Sequence, residues 1–293
     1  MTTSALLHPD VPPEAVRPFQ SGNSAIKIQQ RLDDSQRVNA ALIFGGDGTV
    51  HRHLAQLYER QIPALVVPSG SGNDFAKALG IRNRQTALEA WRRFCTHGDN
   101  VREIDLGAIT TAGGEEILFC CVAGAGMDAD ANARANKMPV WLKRRGGYVL
   151  AALQSLAMFK PVDMRVTAHV GKGGCRNENR EISGKAFFVA IGNTRSYGGG
   201  MKVAPQAKPD DGLFDICLLA RINKLKLLCW VPTIFLGRHL GLREVDYFQS
   251  DSLRIESGNP LDVFADGEFA CQTPIEVSLK PRALKVIVSG FGR

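Results

Sequence analysis

Ala40-Ala41-Leu42-Ile43-Phe44-Gly45-Gly46-Asp47-Gly48-Thr49-Val50 decides how this chain is read. The five apolar residues Ala40–Phe44 predict a buried strand, and a glycine loop follows at once. Beyond it Val50, Leu54, Leu57 and Tyr58 recur at helical spacing. Strand, glycine turn and helix place backbone N–H groups and a helix N-terminus around an anion. The helix dipole and the unpaired donors both favour phosphate there. Asp47 would repel a bare phosphate, and it makes sense with a divalent cation between carboxylate and phosphate. For this loop alone, an ordinary strand–helix turn with a solvent-facing aspartate is the competing reading.

A second stretch repeats the pattern about 20 residues later, a normal spacing for consecutive strand–helix units. Ile62–Gly80 reads IPALVVPSGSGNDFAKALG. Ala64–Val67 predict a buried strand ended by Pro68. Ser69-Gly70-Ser71-Gly72 form the loop, and Asn73-Asp74 cap a helix over Phe75–Leu79 that Gly80 stops. Loops on successive parallel strands both open at the carboxyl edge of the sheet, where α/β folds bind ligands.

The rest of the chain bounds the answer. At 293 residues and 44% hydrophobic, it has room for one large or two modest domains. No apolar run reaches the roughly 18 residues of a membrane span. The start, MTTSALLHPDVPPEAV, has neither a cationic head nor an apolar core, so no secretory leader is expected. Seven scattered cysteines, Cys120 and Cys121 adjacent, show no zinc spacing and point to a reducing, cytoplasmic setting. A net charge of +7 and a pI near 9.1 favour anionic partners, with general solubility as the plainer explanation. Aromatic residues make up 7% and no nucleic-acid module is visible, so nucleic acid is not an expected partner.

Ala5–Pro9 predict a short first strand and Glu14–Phe19 the start of a helix. Thr86–Thr96 predict an amphipathic helix with Leu88, Trp91 and Cys95 on one face. From about Leu106 the period changes. Met164, Val166, Ala168 and Val170 alternate with polar residues. Lys185–Ile191, Phe214–Leu219, Ser252–Glu256, Leu261–Ala265, Ile275–Leu279 and Leu284–Val288 add strands between turns. This pattern predicts a β-rich, sandwich-like second domain. Two cationic-apolar helical insertions, Met138–Phe159 and Ile222–His239 (with Pro232 as a kink), suit either a membrane surface or packing on the sheet. The basic pair His51-Arg52 beside the first loop suits a polyphosphate; for Arg52 and His53 a solvated helix face is the competing reading.

GGDGTV followed by PSGSGNDFAKALG resembles the catalytic domain of the diacylglycerol and sphingosine kinases and their bacterial lipid-kinase relatives. GNTRSYGGGMKVAPQAKPDDGLFDICLL (Gly192–Leu219) and Ala265-Asp266-Gly267-Glu268 are similar to later motifs of that family. The resemblance runs from about Ala40 to the C-terminus and implies two domains. Residues 1–105 would be a Rossmann-like α/β nucleotide-binding domain, abbreviated at its start. Residues 106–293 would be a β-sandwich whose last strand returns toward the first domain, with the active site in the cleft between.

It also implies ATP and Mg²⁺ as cofactors. Gly45, Gly46, Gly48, Thr49, Gly70, Ser71, Gly72, Asn73 and Asp74 would hold the nucleotide. Asp47, with Asp74 and Asp105, would hold the catalytic Mg²⁺ directly or through water. Lys208, Asp211 and Leu213 would hold a structural Mg²⁺. Glu268 would be the general base, with Asp266 as an orienting neighbour or second candidate. The expected acceptor is a lipid hydroxyl, diacylglycerol first, reached by transient docking on an anionic membrane. A homodimer stays open. Two alternatives also stay open: an NAD kinase-like enzyme, which shares the GGDGT loop, and a non-catalytic nucleotide- or lipid-binding relative.

Overall fold

The computed structural model describes residues 2–20, 25–32, 38–70, 72–139, 150–151, 154–155, 158–170, 178–220, 222–223, 226 and 232–289. Most of the first helical insertion, 138–159, and residues 224, 225 and 227–231 of the second, 222–239, lie outside the described residues. The chain divides into two compact units, residues 1–105 with 281–293, and residues 106–280.

The first unit is a parallel sheet. It contains β1 (Thr2–Leu7), β2 (Ala25–Gln29), β3 (Ala40–Gly45) and β4 (Ala64–Pro68). β1 pairs with β2 and β3, and β3 with β4, all parallel. β3 is buried at every position, as its unbroken apolar run requires. A 3₁₀ turn over Pro13–Phe19 follows β1. Its Phe19 packs edge-on against Phe44 and accepts a 2.8 Å hydrogen bond from the Trp91 indole N–H. A buried indole with its donor satisfied combines apolar area with a fixed orientation.

α1 (Asp47–Arg60) follows β3, and α2 (Asp74–Ala78) and α3 (Arg84–Thr96) follow β4. α1 begins three residues before the first apolar residue of its period. Asp47, Gly48 and Thr49 form its first turn and Gly46 takes the N-cap position. An apolar period marks where burial starts, and helix first turns are polar by nature, so the pattern sets the start too late. α3 buries Ala87, Ala90 and Trp91, while Cys95 is exposed. The expected Leu88–Trp91–Cys95 face is therefore rotated, because two alanines carry the packing that larger residues suggested. His53 is 3% exposed and so does not lie on a solvated face.

β5 (Val101–Thr111) leads into the second unit. It pairs there with β6 (Glu116–Phe119), and β7 (Val122–Gly126) and α4 (Met127–Lys137) come next. The remaining strands are β8 (Val162–Val170), β9 (Glu178–Gly192), β10 (Phe214–Ala220), β11 (Val245–Ser250), β12 (Ser252–Ser257), β13 (Asp262–Ala265), β14 (Glu268–Gln272) and β15 (Ile275–Ile287). Their pairings with one another and with β7 are antiparallel. β9 is long enough to serve two neighbourhoods: Glu178–Ala186 pair with β8, and Ala186–Gly192 lie between β7 and β10. One apolar core collects inward side chains from both, among them Phe119, Val166, Val189, Phe214, Leu253 and Val277. The unit is β-sandwich-like.

The strands expected at Ile275–Leu279 and Leu284–Val288 are one element, β15. Pro281 has no N–H to give a ladder. Next to it Arg282 takes a positive φ of 50° and donates its N–H to the Asp105 carboxylate at 2.8 Å. Pro281 reads as a strand break, but the chain stays extended on both sides of it. Beyond it, β15 joins the parallel sheet of the first unit through Val286 beside Ala64.

Candidate functional site

The two glycine loops of the first unit lie at the carboxyl ends of adjacent strands and touch. Gly45 and Pro68 are in register, and the Ser69 N–H donates to the Gly45 carbonyl at 3.0 Å. A Cβ on Gly70 would stand 2.6 Å from the Gly46 Cα and 3.1 Å from its nitrogen, so the loops meet backbone to backbone. Asn73 closes the second loop on itself: its Oδ1 accepts from the Gly70 N–H at 2.9 Å and its Nδ2 donates to the Gly70 carbonyl at 2.7 Å. It sits at the N-cap of α2 in a left-handed conformation, φ 55°, with no side-chain bond to the helix. The cap comes instead from the other loop. The Asp47 carboxylate accepts from the N–H groups of Asp74, at 3.1 Å, and Phe75, at 3.0 Å. A carboxylate on first-turn donors is the favourable pairing of charge and dipole. The expected Asn73-Asp74 cap is thereby corrected.

Gly70→Ala forces two backbones apart, and overpacking of this kind costs about 1–3 kcal/mol. The expected outcome is a folded protein with weakened Mg-ATP binding in calorimetric titration; wild-type affinity would contradict the loop contact.

Thr49 is 4% exposed and packs on Gly45, where an added Cβ would meet its Oγ1 at 2.2 Å. Gly72 is half-buried, and Ser71 lies outside the described residues. Asp74 is buried with Lys77 Nζ 3.5 Å away, and Asp105 is buried with the Arg282 N–H on its carboxylate. Among the described residues, Asp47, Asp74 and Asp105 do not gather carboxylate oxygens within 4.8 Å of one another. Of these three, Asp47 is the half-buried carboxylate.

Beside the loops is a cavity of about 380 Å³, lined by Asp10, Glu14, Ala15, Phe44, Ser69 and Arg84 among others. Phe44 and Ser69 lie at the ends of β3 and β4. Arg84, the first residue of α3, also donates to the Ala15 carbonyl. The sequence reading missed Glu14, Phe44, Ser69 and Arg84 as cavity residues. For Phe44 and Ser69 the available signal was their place at the carboxyl ends of parallel strands; for Glu14 and Arg84 there was none.

Among the described residues, His53, on α1, has no partner at Nδ1. Burial first, then the charges of Arg52 and Arg31, lower its pKa from 6.5 to about 4. The unfolded chain therefore binds the proton more tightly. Stability from the neutral ring is full above about pH 6.5 and is lost as pH falls toward about 4. At about 1.4 kcal/mol per pH unit, the loss is about 3 kcal/mol. Melting of His53→Leu against wild type across that window should show a shallower acid loss in the variant; parallel curves would contradict it.

In the second unit, Asp266 (φ 52°) and Gly267 (φ 88°) form a two-residue turn between the paired Ala265 and Glu268. Glu268 is exposed at the start of β14. Asp266 is 7% exposed, and its carboxylate accepts from the N–H groups of Cys120 at 2.9 Å, Cys121 at 2.7 Å and Val122 at 3.3 Å. Bonded in this way, it holds the turn before Glu268 in place. Asn136 of α4 donates to the Gly267 carbonyl at 2.8 Å. In the 208–213 loop, Asp211 Oδ1 accepts from the Leu213 N–H at 3.2 Å, a local aspartate turn, and Gly212 takes φ 79°. Lys208 is exposed.

The chain thus joins a parallel α/β unit with paired glycine loops to a β-sandwich-like unit with an exposed glutamate after a tight turn. Residues 4–109 match the diacylglycerol kinase catalytic domain, and residues 121–288 match the YegS C-terminal NAD kinase beta sandwich-like domain. A diacylglycerol kinase of Mycobacterium tuberculosis is 35% identical over 85% of this chain and 76% of its own length. A Pseudomonas aeruginosa protein named "Probable lipid kinase YegS-like" is 30% identical over 83% and 74%. A diacylglycerol kinase structure from Bacillus anthracis superposes with a TM-score of 0.72 at 19% identity, covering 98% of this chain and 96% of that one. An Archaeoglobus fulgidus NAD kinase shares the fold more loosely, at 0.54 and 10% identity. The chain belongs to the diacylglycerol kinase and YegS-like lipid kinase family.

Proposed function

We propose that this chain is an ATP- and Mg²⁺-dependent lipid kinase that transfers the γ-phosphate to a lipid hydroxyl, diacylglycerol first. The observation that carries the reading is the junction of the two glycine loops through Asp47, beside a cavity of about 380 Å³.

Phosphoryl transfer asks the protein mainly for positioning and charge neutralisation. Gly46, Gly48, Gly70 and Gly72 supply close backbone approach to the phosphates, and the cavity between Glu14, Phe44 and Arg84 takes the nucleoside end. Asp47 would hold a Mg²⁺ ion, which when bound would neutralise phosphate charge. The fit is favourable because a carboxylate that accepts two N–H groups still has lone pairs for a hard cation. Asp74 and Asp105, both buried, act on that ion through water or not at all. Glu268 Oε takes the proton of the acceptor hydroxyl. Lys208, Asp211 and Leu213 offer a second, structural Mg²⁺ site, since tight turns expose the backbone oxygens that hard cations take.

The +7 charge and exposed apolar side chains in the second unit support docking on an anionic membrane. Leu236 is 64% exposed, Met158 66%, and Phe269, beside Glu268, 57%. Among the described residues no helix is long and apolar enough to cross a membrane.

Glu268→Gln tests the assignment. Loss of a positioned base lowers kcat by about 10²–10⁴-fold, and the expected result with diacylglycerol in mixed micelles is that loss with an unchanged KM for ATP. A raised KM with kcat intact would make Glu268 a binding residue.

A further inference from the structure

We infer that Cys120, Cys121 and Asp266 form a binding site for a soft divalent cation of the zinc and cadmium type. The two Sγ atoms and a carboxylate oxygen all lie within 4.8 Å of one another, and the residues are 0%, 1% and 7% exposed. Nothing in the cysteine spacing signals this, because the third ligand comes from 145 residues away.

Three observations support a ligand set rather than a chance meeting. The backbone of the pair is held at all four polar groups. Both N–H groups donate to Asp266. The Cys120 carbonyl accepts from Asn193 Nδ2 at 2.9 Å, and the Cys121 carbonyl from the N–H groups of Asn193, at 2.8 Å, and Thr194, at 3.1 Å. Sulfurs carried on so fixed a backbone lose little freedom on binding. Next, Cys120 Sγ is already 3.5 Å from Asp266 Oδ2, a thiol–carboxylate contact whose proton a cation can replace. Finally, the charge balances. As M²⁺ enters, both S–H bonds break, two protons leave to solvent and no electrons move. The site carries one negative charge before, on Asp266, and one after, with two thiolates, one carboxylate and the ion. Burial therefore adds no new net charge. Two thiolates and one carboxylate suit zinc and cadmium and exclude Mg²⁺, and a fourth position remains for water.

Occupancy would draw Asp266 toward the ion and away from the N–H groups that fix the turn before Glu268, so a soft metal would lower turnover. That consequence rests on the lipid-kinase reading; the binding does not.

The test is titration of phosphine-reduced full-length protein with Cd²⁺ alone. The expected result is one tightly bound cadmium per chain with an ultraviolet thiolate-to-cadmium band, two protons released, and two sulfur ligands in cadmium-edge X-ray absorption. Cys120→Ser/Cys121→Ser should lose all of these, and Cys95→Ser should keep them. A one-sulfur site, or a signal that survives the double substitution, overturns the inference. Should the double variant fail to fold, the sulfur count on wild type and on Cys95→Ser decides. Two-sulfur binding in a protein that phosphorylates no lipid would leave this site standing and remove the kinase reading. Lipid phosphorylation without a two-sulfur site would do the reverse.

Discussion

Asp47→Ala is expected to abolish phosphoryl transfer and to loosen the two loops together. Its carboxylate is the acceptor for two α2 N–H groups, and hydrogen bonds to a charged group contribute about 1.5–3 kcal/mol each. Both donors are partly solvated in the variant, so the stability cost should fall in the lower half of that range per bond. Activity should fall further than stability explains, because the same carboxylate is the proposed Mg²⁺ contact. Asp47→Asn separates the two roles: one oxygen still accepts an N–H, but the charge is gone. Thermal melting and turnover measured together should show Asp47→Asn nearer wild type in stability yet inactive. Activity recovered along with stability would leave Asp47 a capping residue only.

Asp266→Ala should be the most destabilising single change near the proposed base. It strips the acceptor from three N–H groups in a buried loop, and each unpaired donor costs about 1–3 kcal/mol. A loss of at least about 3 kcal/mol should appear as a lowered urea midpoint. kcat should fall as well, since Glu268 hangs on the turn that Asp266 fastens. A residue that holds its neighbour in place leaves the pH dependence of the remaining activity set by Glu268. A variant with wild-type stability and a displaced pH profile would instead make Asp266 the proton acceptor.

What the sequence made legible was local. Gly45-Gly46 and Gly70 announce close backbone approach, and the runs Ala40–Phe44 and Ala64–Val67 announce buried parallel strands, because backbone freedom and apolar runs act within a few residues. The alternation of Met164, Val166 and Ala168 declared one buried face of β8 in the same way. What stayed hidden was contact between distant residues. Nothing local says that Asp47 caps the helix beginning at Asp74, that Asp105 receives the Arg282 N–H, or that Asp266 reaches back to Cys120 and Cys121. Buried carboxylates satisfied by backbone donors look, in sequence, identical to catalytic ones. Asp266 is buried and bonded to backbone donors, while Glu268, two residues on, is exposed. α3 misled in part: Trp91 is buried as expected, but the rest of its buried face is Ala87 and Ala90, residues too small to mark it.

The most direct test of the account is transfer of label from [γ-³²P]ATP, with a mixed-lipid extract and with NAD in parallel, by wild type and Asp47→Asn. The account predicts an organic-soluble labelled product from wild type alone, identified by chromatography as a phosphorylated diacylglycerol. Label on NAD, or ATP binding with no labelled lipid, would contradict it.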